Sequence, residues 1–183
     1  MRKLIAGFAN SIDVLIEGPN GEYDWIILDN EQFSELAKFW KKIDAMFYGR
    51  KTYEASMAKQ PSSKTKKKSE NPFAHMKHYV FSNTLTEVQD GFTLVRGDIK
   101  TEVEKIKSQE GMDIAVFGGG ELVSSLINLD LIDELQLVFM PVLLGKGKPF
   151  FRDIKERKNF KLKEVKSYQT GILSVTYELE KSK

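Results

Sequence analysis

Phe117-Gly118-Gly119-Gly120-Glu121 decides how this chain is read: three consecutive glycines separate the apolar run Ile114 to Phe117 from the amphipathic run Glu121 to Leu129. A strand that stops there and a helix that starts there leave backbone amides unpaired at the turn, and glycine lets the backbone come close to whatever they bind. The helix dipole adds attraction for negative charge, so phosphate is the natural guest. The alternative is a tight turn packed on its neighbour, which needs one or two glycines rather than three. The glycines are contiguous and late in the chain, so this is neither the G-x-G-x-x-G dinucleotide fingerprint nor a P-loop.

The same grammar recurs upstream. Ala45-Met46-Phe47-Tyr48 is a short buried strand that runs into Gly49-Arg50-Lys51-Thr52-Tyr53-Glu54, the opening of another helix. Arginine matches the fork geometry of a phosphate, lysine adds a point charge, and threonine can cap the helix while touching a phosphate oxygen. Alone, Arg50 and Lys51 read as solvated charges. Paired with the glycine turn, they read as the second half of a phosphate site.

Around these junctions, Leu4 to Ala9, His78 to Ser82, Phe92 to Val95 and Leu135 to Met140 read as further strands. Helices are predicted at Glu31 to Ile43, with Phe33, Leu36, Ala37, Trp40 and Ile43 on one stripe and Asp29 or Asn30 as cap, and at Thr101 to Ser108. Phe160 to Ser167 and Ile172 to Leu179 flank Tyr168-Gln169-Thr170-Gly171 as an antiparallel hairpin. The expected fold is α/β, with a mostly parallel sheet, helices on its faces and a C-terminal antiparallel hairpin.

With 183 residues, 41% hydrophobic and 30% charged, the chain is expected to form one domain over 1–183, interrupted by a Ser-, Lys- and Pro-rich flexible loop at about 59–72. Cysteine is absent, which removes disulfides and thiolate chemistry and fits a cytoplasmic location. His75 and His78 are the two imidazoles, and nothing nearby fixes carboxylate partners, so no metal is expected. Asn10 and Asp13 interrupt the apolar start, and no run reaches membrane-span length. Net charge is +2, with Lys64, Lys66, Lys67 and Lys68 in the basic loop. They lack interleaved aromatics, which argues against a nucleic-acid partner.

Gly49 to Glu54 and Phe117 to Leu122, in this order and separation, resemble the two NADPH-binding motifs of the dihydrofolate reductase superfamily. Ser11-Ile12-Asp13, Leu131-Ile132-Asp133-Glu134-Leu135 and Pro141-Val142-Leu143-Leu144-Gly145-Lys146-Gly147 resemble the reductase domain of the bifunctional riboflavin-biosynthesis deaminase/reductase. The resemblance implies a three-layer α/β/α fold and NADPH as cofactor. The implied activity is that of a 5-amino-6-(5-phosphoribosylamino)uracil reductase. A dihydrofolate reductase-like or other small-molecule reductase, or a nucleotide-binding protein without catalysis, are the alternatives.

The resemblance further implies that Gly49, Arg50, Lys51 and Thr52 hold the cofactor phosphates, that Ser82 and Asn83 border the adenosine, and that Gly118, Gly119, Gly120, Glu121 and Leu122 receive the pyrophosphate end. It implies a cis Gly118-Gly119 peptide and a homodimer, to which the apolar stretch Leu135 to Leu144 would contribute. Ligands in such sheets sit outside the carboxyl ends of the strands, so Ala9, Asn10, Asp24 and Trp25 are expected to border the substrate. Asp13 is the candidate for a substrate contact or proton relay; an aspartate after a strand equally well caps a turn. The chain departs from the riboflavin reductases at Val14, where glycine is usual, and at Phe117, where an acidic residue is common. Both departures imply a less polar acceptor.

Overall fold

The structure is a computed structural model that describes residues 1–58, 73, 75–117 and 119–180. In chain order the elements are β1 (Leu4–Asn10), β2 (Leu15–Glu17), α1 (Asn30–Trp40), β3 (Ile43–Gly49), α2 (Arg50–Ala58), β4 (Lys77–Phe81), β5 (Phe92–Val95), α3 (Ile99–Lys107), β6 (Asp113–Val116), α4 (Gly120–Asn128), β7 (Glu134–Phe139), β8 (Lys148–Pro149), β9 (Phe160–Ser167) and β10 (Leu173–Leu179). The eight-stranded sheet has the order β5-β4-β3-β6-β1-β7-β10-β9. Its first six strands are parallel, and β10 and β9 join antiparallel as the expected hairpin.

Successive strand residues point to opposite faces, which sorts the apolar side chains into two cores. Leu4 and Ala6 of β1, Phe47 of β3 and Ile114 and Val116 of β6 face Val103 and Ile106 of α3 and Val123, Leu126 and Ile127 of α4. Ile5, Met46, Tyr48 and Ala115 face the other side, against Tyr53 of α2 and the half-buried Phe39 and Trp40 of α1. Three layers result because the inner strands are apolar on both faces.

Helix α1 differs from its sequence reading. Asp29 caps it in a reciprocal capping box with Gln32, as expected of one of the two candidates. The helix stops at Trp40, however, and Ile43 opens β3, where it is fully buried. Phe33 and Leu36 are 56% and 39% exposed. The physical reason is that α1 stands over a cleft instead of pressing its whole apolar stripe onto the sheet. The β2-β8 ribbon was not anticipated, since strands of three and two residues carry no readable period. The basic run Lys64 to Lys68 and the loop at 59–72 lie outside the described residues. In the stretch Leu135 to Leu144, Leu135, Leu137 and Met140 are buried in the core, whereas Leu143 is 68% exposed. Among the described residues no helix is long and apolar enough to cross a membrane, and no group of three or more His, Asp or Glu residues could hold a metal ion.

Candidate active site

Because β3, β4, β5 and β6 run parallel, their carboxyl ends open on one edge of the sheet. The glycine turn and the arginine turn, far apart in sequence, meet there. Lys51 Nζ lies 2.6 Å from Glu121 Oε1, and a Cβ built on Gly119 would stand 3.0 Å from Thr52 Oγ1. Helix α4 starts without a side-chain cap: Gly119 is its N-cap at φ +81°. Its first amides are therefore available to an anion.

These two turns line a cleft of about 940 Å³, together with Ser82 and Asn83 after β4 and Arg96, Gly97 and Asp98 after β5. Gly49, Arg50, Lys51, Thr52, Gly119, Gly120, Glu121 and Leu122 all line it. Gly118, and with it the Gly118-Gly119 peptide bond expected to be cis, lies outside the described residues. The Ser82 hydroxyl accepts from the amides of Thr84 and Leu85, and Asn83 Oδ1 accepts from the Gly97 amide at 2.9 Å. Both side chains thus shape the rim where β4 and β5 end.

Three cations of this cleft rest on carboxylates. Arg50 pairs with Glu54 at 3.0 Å, Lys148 with Glu17 at 2.9 Å, and Lys51 with Glu121, which holds the Glu121 carboxyl below its ordinary value. All three pairs are solvent-exposed, so each contributes little and yields readily to a phosphate. Arg96 donates to the carbonyls of Leu85 and Thr86, and Arg152 completes the basic lining. Arg96, Asp98, Lys148 and Arg152 were not foreseen. Arg96 and Asp98 follow a predicted strand as Ser82 does and were findable by that rule; Lys148 and Arg152 arrive on a long return loop that no local pattern announces.

A second cleft, of about 730 Å³, lies between α1 and the sheet. Phe8, Ala9, Leu36, Phe39, Trp40, Val138 and Met140 supply its apolar wall; Gln32, Gln136, Tyr168 and Thr176 are among its uncharged polar groups, and Glu35, Lys38, Lys42, Glu164 and Lys166 are its charged ones. Gln32 ties α1 to the hairpin turn by donating to Thr170 Oγ1 at 3.1 Å. Glu35 accepts from Lys38 at 2.6 Å and Lys166 at 2.7 Å, and these lysines, Lys166 foremost, bring its carboxyl down to about 2. Among the described residues Phe117 is the one shared by both linings.

Of the residues expected at the substrate, Ala9 reaches this cleft, whereas Asn10, Asp13, Asp24 and Trp25 line neither one. Asn10 is fully buried and donates to the Ser11 carbonyl, and the Trp25 indole donates to the Glu22 carbonyl. Asp13 accepts from the Ser11 hydroxyl at 2.6 Å and from the Leu144 and Gly145 amides at 3.2 and 2.8 Å. Those bonds, the Ser11 hydroxyl first, lower its pKa and fasten the loop after β7 to the end of β1.

The architecture is that of the dihydrofolate reductase-like class: the dihydrofolate reductase of Enterococcus faecalis, solved with NADP(H) and RAB-propyl, superposes with a TM-score of 0.63 at 17% identity, covering 98% of this chain and 97% of that one. Within that class the RibD C-terminal domain family model matches residues 2–174, and the chain belongs to that family. It is 36% identical to the uncharacterized protein YyaP of Bacillus subtilis (strain 168), over 96% of this chain and 94% of that protein. RibD of Acinetobacter baumannii has the same fold, with a TM-score of 0.73 at 17% identity over 98% of this chain and 58% of its own.

Proposed function

We propose that this protein is an NADPH-dependent reductase that delivers a hydride to a small pyrimidine- or pterin-like acceptor, of the type of the 5-amino-6-(5-phosphoribosylamino)uracil reductases. The observation that carries this reading is the convergence of Arg50, Lys51 and Thr52 with the uncapped start of α4 in one basic cleft that meets a second, apolar cleft at Phe117. Membership of the RibD C-terminal domain family and a fold shared with a reductase solved with NADP(H) support it.

The residues present fit the cofactor. Arg50, Lys51 and Thr52 would hold its phosphates, Ser82 and Asn83 would border the adenosine, and the amides of Gly119, Gly120, Glu121 and Leu122 would receive the pyrophosphate. When bound, the dihydronicotinamide supplies a hydride. The protein's share is to align the acceptor under α1 and exclude water. Reduction of a C=N or C=O bond also consumes one proton. Glu35 stays ionised near neutrality, so in this reading the proton comes from solvent. Asp13 enters as the anchor of the loop after β7. Action in the cytoplasm and as a homodimer belongs to the same proposal, with exposed Leu162 and Val165 on the outermost strand β9 as the apolar residues available to a second copy.

The test is a fluorescence titration of NADPH followed by its oxidation against the ribosylaminouracil phosphate and dihydrofolate. Arg50→Ala is expected to weaken NADPH binding roughly tenfold or more. Unchanged affinity in that variant would remove the arginine turn from the cofactor site.

A further inference from the structure

Phe117 is an apolar ring left 41% exposed at the end of an interior strand. Its position is nevertheless fixed. The Phe117 amide donates to the Phe47 carbonyl at 2.8 Å, and its ring meets that of Tyr48 with centroids 5.3 Å apart at 54°. Tyr48 is itself held, by a hydrogen bond to His78 Nδ1 at 3.1 Å and an edge contact with Phe92. What sets Phe117 apart from the other exposed apolar residues is that its held ring lines both clefts, so its face is open to a ligand lying where they meet.

Its chemistry sets what it accepts. An aromatic face carries partial negative charge, so it favours a planar ring with an electron-poor face and disfavours a carboxylate or phosphate laid against it. The walls Phe8, Leu36, Phe39 and Met140 are apolar, and of the lysines that also line the cleft, Lys38 and Lys166 are already paired with Glu35, which leaves Lys42 as the cation against which discrimination by the ring is measured. We infer that Phe117 is the specificity-determining residue of the α1 cleft, stacking an uncharged, planar heterocyclic acceptor and discriminating against one with an anionic group beside the reacting ring. This rests on the reductase reading above and narrows its acceptor class.

Pterin and 6-carboxypterin serve as probes, because they share a fluorescent planar ring and differ by one carboxylate. Each is titrated into the protein without cofactor and read by fluorescence quenching. Wild type should bind pterin at least roughly tenfold more tightly than 6-carboxypterin; Phe117→Leu should weaken pterin by a similar factor, and Phe117→Tyr should restore it. Circular dichroism checks that the variants fold. No quenching by wild type, equal affinity for the two probes, or unchanged pterin binding in a folded Phe117→Leu would overturn the inference. The readout is independent of the cofactor. A protein that binds pterin through Phe117 but no NADPH would refute the reductase reading alone, and one that binds NADPH but treats both pterins alike would refute this inference alone.

Discussion

At Gly120 the chain has no room for a side chain. A Cβ there would stand 2.6 Å from the Phe150 carbonyl oxygen, and Phe150 is completely buried. Gly119 is required for a different reason, its positive φ beside Thr52. The local sequence makes the turn legible as a close-approach site, but the carbonyl that approaches Gly120 comes from a return loop some way down the chain, which no local pattern reveals. Gly120→Ala should therefore destabilise the protein by about 1–3 kcal/mol, read as a lower melting temperature. A melting temperature equal to wild type would mean the loop moves aside freely. Asp13 shows the same limit. Its place after β1 was readable, whereas the Leu144 and Gly145 amides that occupy it come from the far side of the sequence. Asp13→Asn should lower the melting temperature while leaving the single-turnover rate of hydride transfer nearly unchanged. A slower single turnover at unchanged melting temperature would return Asp13 to the reaction.

Among the elements, α1 is the one whose role the periodicity misjudged. Its start was legible from Asp29, since a capping residue acts within one turn. Its end and its face were not, because Ile43 satisfies a helical period as well as a strand one until β6 pairs with it. What holds α1 over the cleft is partly electrostatic: Glu35 links it to Lys166 of β9. The Glu35 carboxyl falls from 4.5 to about 2 in the folded protein. A carboxyl depressed on folding contributes stability that is fully present above its unfolded value and is lost as pH falls through its folded value. The difference in melting temperature between wild type and Glu35→Gln should then be constant above pH 4.5, shrink below it and vanish near pH 2. It should also be small, because the pair is exposed. A difference that does not change across that range would show that Glu35 acts on α1 by something other than its charge.

For the whole molecule, the parallel class of the sheet and its antiparallel end followed from apolar runs and one hairpin turn. Strand order did not, and order is what makes a site here. With β3 between β4 and β6, the turns after β3 and β6 become neighbours, and a pair of motifs distant in sequence becomes one basic cleft beside one apolar cleft. In the function proposed above, this basic cleft recognises a dinucleotide through its phosphates, including the one that separates NADPH from NADH. Calorimetric titration of both cofactors decides between recognition and its absence. The expected result is saturable binding of one NADPH per chain, with NADH at least roughly tenfold weaker because it lacks a phosphate that the arginine turn would hold. Equal affinity for the two, or no binding of either, would contradict it.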